Sequence, residues 1–455
     1  MTLHTISAEE YWKEYLQRLG KLNMSLIECL PDFMVISPAK TGTTWLSDNL
    51  KCHPELFIAR VKEVRYFCAQ WKLYDINWYL KHFLEGVGRK KGDVSPTYAI
   101  LPSMHIKLLK ALKPNLKLIF LMRDPISRAW SHVKHNFKYR EFNFKNYNGN
   151  FKSIADNMFI DNFTHGFPSC FNDYLGALKR WLSFFPKEQI YVGFYETIKN
   201  NPVHLLSDIC QHLGVNNNEN WSAFPVSKIS FKGLDEEIPL KIKALLRNLY
   251  RRKTLELATF LKANFNISLP AEWDNTLLGE ETGPFVVSQN RKGHDIWASE
   301  GRFYALRRET KDVNRAIEIT PESLKTCAKI SGNSFFETTS LVDESICQND
   351  KTCSKDSGKD TITYEDRRLA GAMDELFEAI SESSQNHVIE LVCAIDNYNI
   401  IWRNAKFYGV PQSLGSIDLH KDFSLYESQM LAGNSLEEVK RMIEAKMPRI
   451  TENVY

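Results

Sequence analysis

Residues 33–46 read FMVISPAKTGTTWL, running from Phe33 to Leu46 with a single lysine in the middle. Four apolar residues followed by Ser37 and Pro38 spell a buried strand that stops abruptly, and Thr43 onward reads as the start of a helix. Where a strand passes through small residues into a helix, the first-turn N–H groups have no partner and the helix dipole adds partial positive charge. Such a junction attracts anions. Gly42 allows close backbone approach, Thr41, Thr43 and Thr44 offer hydroxyls, and Lys40 carries a charge that can reach the far end of a phosphate.

The nucleotide-triphosphatase pattern G-x-x-x-x-G-K-[ST] is a rival, which would make the chain a small-molecule kinase. Here the lysine precedes the glycine and the first glycine of that pattern is missing. The order Lys-Thr-Gly-Thr-Thr-Trp-Leu over residues 40–46 instead resembles the 5′-phosphosulfate loop of the sulfotransferase family. A second element, LIFLMRDPISRAWSHV, places Arg123, Asp124, Pro125, Arg128 and Ser131 directly after an apolar run. It resembles the family's R-D-P-x-x-R-x-x-S segment. Asp124 suits a helix cap and Pro125 a first helical position, so the helix should begin where the strand ends, with Arg123 at the sheet's ligand-binding edge. A third piece, SFKGLDEEIPLKIKALL, resembles the family's closing lysine-glycine loop and brings in Lys232 and Gly233.

The resemblance covers roughly residues 1–275. It implies 3′-phosphoadenosine 5′-phosphosulfate (PAPS) as donor and 3′-phosphoadenosine 5′-phosphate (PAP) as product, with no metal. The donor contacts it implies are Lys40, Thr41, Gly42, Thr43, Thr44 and Trp45 around the phosphosulfate, Arg123 and Ser131 at the 3′-phosphate, and Lys232 with Gly233. Lys40 would also stabilise charge on the leaving phosphate. For the base, HPELFIARVKEVRYF resembles the K-E-x-x-[YF]-F segment of the glycan-acting and bacterial branches, which points to Glu63. The competitor is His105, since the cytosolic small-molecule branch uses histidine. GDVSPTYAILP resembles an acceptor-cleft segment in which glycan-acting relatives often carry lysine where Val94 stands; Asp93, Ser95 and Tyr98 there are either substrate contacts or a buried turn. The expected acceptor is a carbohydrate or glycolipid precursor, with a small hydroxylated natural product as the alternative.

Other features bound this reading. With 455 residues and 43% hydrophobic composition the chain exceeds the about 250–300 residues at which single cores stop growing, so two domains are expected. Fifty-eight basic against 55 acidic residues, net +3, call for neither nucleic acid nor an anionic membrane. No run approaches the ~18 apolar residues of a membrane span, and nine cysteines without C-x-x-C pairs suit a reducing cytoplasm.

The apolar runs at 33–37, 116–122 and 189–194, alternating with amphipathic stretches, predict an α/β fold: a P-loop-like parallel sheet flanked by helices over residues 1–275. Residues 276–455 predict an α+β accessory module. In it GHDIWASEGRFYAL (293–306) and NYNIIWRNAKFYGV (397–410) align without a gap, so that Ile296 matches Ile400, Phe303 matches Phe407 and Tyr304 matches Tyr408. Each copy reads as a β-hairpin with its aromatics in a small core of its own. That module resembles tail segments of bacterial glycan-modifying enzymes, which leaves a non-catalytic glycan-binding role as a further reading. The polar stretch at about 333–362 reads as a flexible insertion. Oligomeric state is not encoded in any of these patterns.

Overall fold

The computed structural model describes residues 22–139, 156–164, 169–228, 237–308, 319–349, 390–411 and 427–446, apart from single positions and pairs within them. Two compact units make up the chain, Met1–Met373 and Asp374–Tyr455.

The first unit is built on a five-stranded parallel sheet ordered β2-β3-β1-β4-β5, formed by β1 (Phe33–Val35), β2 (Leu56–Ile58), β3 (Lys90–Val94), β4 (Lys117–Met122) and β5 (Ile190–Phe194). Three of these strands are the apolar runs of the sequence. The other two carry no such signal, because LFI is too short to show a period and KKGDV is polar. β3 joins the sheet because Gly92 pairs with Phe33 and lets that ring lie across it: a Cβ at 92 would stand 2.1 Å from Phe33 Cζ. β1 lies centrally, between β3 and β4, and every residue of it is buried. Parallel strands covered on both faces need such continuous apolar runs.

Helices α1 (Thr43–Leu50), α2 (Ile76–Lys81), α3 (Ser103–Leu112), α4 (Pro125–Tyr139), α5 (Tyr195–Asn200) and α6 (Pro202–Leu213) connect or cover these strands, and the long α7 (Leu240–Phe265) follows. Leu50, Leu205, Leu206 and Ile209 pack on the strand residues Phe33, Val35, Ile119 and Leu121. Removing one such side chain, as in Phe33→Ala, would cost about 3–5 kcal/mol.

The first copy of the repeat forms β7 (His294–Ser299) and β8 (Arg302–Arg307) within an antiparallel sheet ordered β6-β7-β8-β9, with β6 (Phe285–Arg291) and β9 (Ile330–Gly332) outside. Ser299 pairs with Arg302, so the turn is the two residues Glu300 and Gly301, with φ of 50° and 71°. Two positive φ values give the hairpin turn whose twist matches its strands. Ile296, Ala298, Phe303 and Ala305 share one core with Trp130 of α4 and with Leu245, Leu246 and Leu249 of α7. The boundary expected at 275 therefore falls inside the first unit, and this hairpin packs its apolar side chains against helices of the parallel-sheet half rather than only against itself.

The second unit holds the second copy in the same strand order, β10 (Glu390–Ile395), β11 (Tyr398–Arg403), β12 (Lys406–Pro411) and β13 (Leu431–Gly433). Tyr408 is buried, as Tyr304 is in the first copy. The duplication runs further than the hairpins. α8 (Phe335–Asn349) is the next element after β9, and α9 (Leu436–Lys446) is the next after β13, with the text GNS preceding both helices in the sequence. The expectation of a flexible insertion from 333 is corrected accordingly: α8 is helical and buries Phe335, Thr338, Thr339 and Val342. Its apolar spacing is hidden by threonine and serine. Residues 350–362 lie outside the described residues.

Candidate functional site

The loop after β1 is stitched to β4 by Ser37, whose hydroxyl receives the Leu121 N–H at 2.7 Å and donates to Ile119 O at 3.2 Å. Thr41 then folds the chain back by donating to Pro38 O at 2.7 Å. Lys40 (φ 73°) and Gly42 (φ 90°) both have left-handed backbone, and Gly42 caps α1. Only glycine fits at 42, because a Cβ would lie 2.4 Å from Ile198 Cδ1 and 3.1 Å from Tyr195 Cδ2. Left-handed residues at the start of a helix turn successive N–H groups to one side, which forms an anion-binding concavity. Thr44 accepts a hydrogen bond from Lys62 Nζ at 2.6 Å, whereas Trp45 is buried with its indole N–H on Val226 O at 3.0 Å.

Two arginines hold the loop's carbonyls. Arg123, at the end of β4, donates to Lys40 O at 3.3 Å and lies over the Tyr195 ring, 4.3 Å from its centroid. Arg128 on α4, only 1% exposed, donates to Ala39 O at 3.3 Å and to Asn172 Oδ1 at 2.6 Å, and Asn172 donates onward to Tyr250 on α7 at 2.6 Å. The helix start is capped as its residue types foretell: Asp124 accepts the Ser127 N–H at 2.8 Å and the Thr276 hydroxyl at 2.6 Å. Ser131 stands partly exposed about two turns along α4. With burial first and then Lys62, Arg128 and Arg123 disfavouring another positive charge, and Glu63 opposing them, the Lys40 ammonium is pushed down to about 8.

Glu63 lies on the turn that follows β2. Its carboxylate is paired with Lys62 Nζ at 3.2 Å and with the Arg65 guanidinium, whose Nε stands at 3.1 Å. Burial by itself would raise the acid's pKa, but Arg65 and Lys62 overcome it and hold the group at about 2. Asp93, at the end of β3, is fully buried and pushed up to about 6 by that burial, although Ser95, Tyr98 and Tyr79 all donate to it. The turn and the loop thus face one another electrostatically, with Glu63 the group that favours the charged form of Lys40.

His105 is elsewhere. It is wholly buried in α3 with its ring against Trp71, at 6.3 Å between centroids, and burial pushes its pKa down to about 3. A histidine with no exposed surface cannot meet an acceptor, so it is withdrawn as a candidate base. Lys232 and Gly233 lie outside the described residues. Among the described residues, His53, Glu55 and Glu219 bring potential metal ligands within 4.8 Å of one another. Both imidazole nitrogens are engaged there, one with the Glu55 N–H at 3.2 Å and the other with Asn216 O at 2.8 Å.

Arg65, Asn172 and Tyr195 join this cluster without a sequence signal, and Lys62 has none beyond standing beside Glu63 in the K-E-x-x-[YF]-F segment. A Lys-Glu-x-Arg string has the look of a solvated face, and neither Asn172 nor Tyr195 sits in a pattern that marks it. Among the described residues no helix is long and apolar enough to cross a membrane.

The family model for the sulfotransferase domain matches residues 30–237. Over 330 residues the chain is 26% identical to the membrane-associated sulfotransferase kil1 of Dictyostelium discoideum, covering 54% of this chain and 67% of that protein. It is 24% identical over 212 residues to a bifunctional heparan sulfate N-deacetylase/N-sulfotransferase of Drosophila melanogaster, 41% of this chain but only 20% of that relative. A sulfotransferase from Alicyclobacillus acidocaldarius aligns in space over 53% of this chain and 98% of its own, at 21% identity and a TM-score of 0.38.

Proposed function

From the premise that residues 30–237 are a sulfotransferase domain, we propose that the chain moves a sulfuryl group from PAPS to a hydroxyl or amine of a carbohydrate acceptor. One observation carries the donor: Lys40, Arg123 and Arg128 converge on the left-handed loop that opens α1. The residues fit such a donor, since the concavity at 40–44 suits a phosphosulfate and the exposed edge of Arg123 with Ser131 suits a second phosphate. PAPS supplies the activated sulfuryl group when bound.

The acceptor oxygen or nitrogen forms the new bond to sulfur as the bond from sulfur to the bridging phosphate oxygen breaks. Lys40 offsets the charge that grows on that bridging oxygen, and the N–H groups of the loop share it. Glu63 takes the acceptor's proton. At about 2 its carboxylate is too well satisfied to be a strong base, so the incoming acceptor has to displace Lys62 or Arg65 from it. The carbohydrate class is supported by the KEVRYF segment and by the heparan sulfate relative. The free thiols at Cys29, Cys52, Cys68, Cys170, Cys210 and Cys327 suit a reducing compartment such as the cytoplasm.

Calorimetric titration with PAP, with ATP plus magnesium as control, tests the donor. The wild-type protein should bind PAP selectively, and Arg123→Ala should weaken it about 10- to 100-fold. Preference for ATP, or no binding by folded protein, would overturn the proposal.

A further inference from the structure

The turn that carries Glu63 contains two non-glycine residues with left-handed backbone, Glu63 itself at φ 64° and Arg65 at φ 55°. Such a conformation persists only where its surroundings impose it. Two N–H groups of the turn reach the C-terminal end of β3: Glu63 N–H donates to Val94 O at 3.2 Å, and Arg65 N–H donates to Ser95 Oγ at 3.1 Å. The first bond is main chain to main chain and survives most substitutions. The second hangs on one hydroxyl. On its other side the Arg65 peptide is gripped at its carbonyl by the N–H groups of Ala69 and Gln70, at 2.9 and 3.2 Å.

That hydroxyl is itself oriented. Ser95 has one proton to give and gives it to Asp93 Oδ1 at 2.7 Å, which turns an oxygen lone pair toward Arg65. Asp93 cannot swing away, because its other oxygen accepts from the hydroxyls of Tyr79 and Tyr98, each at 2.9 Å. Asp93 and Ser95 are both fully buried. Of the two roles open to them in the sequence, substrate contact is therefore closed. Arg65 is also an ion partner of Glu63, so the direction of its backbone governs where that guanidinium and the carboxylate can meet.

We propose that Ser95, held by Asp93, is a positioning residue for the Glu63 carboxylate, fixing the turn that presents it to the acceptor. This rests on the reading of Glu63 as the base. Ser95→Ala deletes the hydroxyl at both ends, and two measurements judge it. Hydrogen exchange needs no acceptor: amides of residues 62–67 should exchange faster in Ser95→Ala, while those of the loop at 36–44 stay as in wild type. Unchanged exchange at 62–67 would overturn the proposal.

The second is turnover, with radiolabelled PAPS and chemically desulfated heparin as the probe acceptor. Ser95→Ala should lower kcat about 10- to 100-fold, with PAP affinity within about twofold of wild type. In a Glu63→Gln background the same substitution should lower kcat no further, since a base already removed cannot be misplaced. Equal losses in both backgrounds would mean a general structural effect and would sink the proposal alone. Wild-type turnover in Glu63→Gln would remove the base reading, and this inference with it. Should Ser95→Ala not fold, Asp93→Asn keeps the volume and the acceptor oxygen; a smaller kcat loss that again vanishes in Glu63→Gln is expected, and a loss that persists there counts against.

Discussion

The loop at residues 36–42 and the turn at residues 62–65 both bend the main chain through left-handed residues that are not glycine, yet their charges are arranged in opposite ways. In the loop, Lys40 shares its surroundings with Lys62, Arg123 and Arg128, and its ammonium is pushed down to about 8. In the turn, Glu63 lies between Lys62 and Arg65, and its carboxylate is held at about 2. One group is destabilised in its charged form and the other is overstabilised. On the proposed reading an arriving polyanion would relieve the loop, whereas turnover would have to disturb the turn. On that reading, donor affinity and stabilisation of the leaving phosphate should accordingly reside in the loop, and removal of the acceptor's proton in the turn.

The largest effect that would break this contrast is at Lys40. Lys40→Met should raise the PAP dissociation constant on the order of 100-fold and abolish measurable transfer, yet stabilise the protein without ligand. The sign follows from the folded pKa lying below the ordinary 10.5: the charged lysine costs stability, fully below pH about 8, and the cost fades as pH rises toward 10.5. The shift bounds it at about 3 kcal/mol, less after solvent screening. Thermal unfolding at pH 7 and pH 10.5 measures it, and a Lys40→Met protein less stable than wild type at pH 7 would contradict a charge-strained loop.

Glu63→Gln should do the reverse. Its kcat should fall about 100- to 10,000-fold, while PAP affinity, read by calorimetry, stays within about twofold. Stability should drop, because a carboxylate with a depressed folded pKa stabilises above its ordinary 4.5 and loses that contribution as pH falls through about 2. The bound is again about 3 kcal/mol. Parallel loss of affinity and turnover would show that loop and turn act as one.

The smallest effect sharpens the contrast. PAP affinity should decline above pH about 8, by up to about tenfold per pH unit, as Lys40 loses its proton; the groups facing it are Glu63, Lys62, Arg123 and Arg128. In Lys40→Met this limb should be absent. A limb of equal size in the variant would assign it to another group.

Much of the fold is legible in the amino-acid sequence. β1, its loop and α1, and likewise β4, Asp124, Pro125 and α4, are contiguous in the chain, and their signals of apolar run, cap and turn chemistry are local. The second and third strands are not legible in this way, because one is three residues long and the other is polar and joins the sheet only through Gly92 and Phe33. The repeat is visible where its aromatics align, but its continuation into α8 and α9 is masked by small polar residues. The packing of its first copy against α4 and α7 has no sequence signal at all.

The candidate site divides in the same way. By itself the amino-acid sequence singled out the loop at 36–44, the arginine after β4 and, through the resemblance of KEVRYF, the glutamate at 63 as candidates, since each lies in a pattern only a few residues long. Only the tertiary structure withdrew His105 into the core, set Arg128 on Ala39, and joined Asp93 through Ser95 to Arg65. The Arg65–Ser95 and Arg128–Ala39 bonds link residues 30 and 89 positions apart. They depend on which strands lie side by side and in what register, and no local pattern of side chains records that.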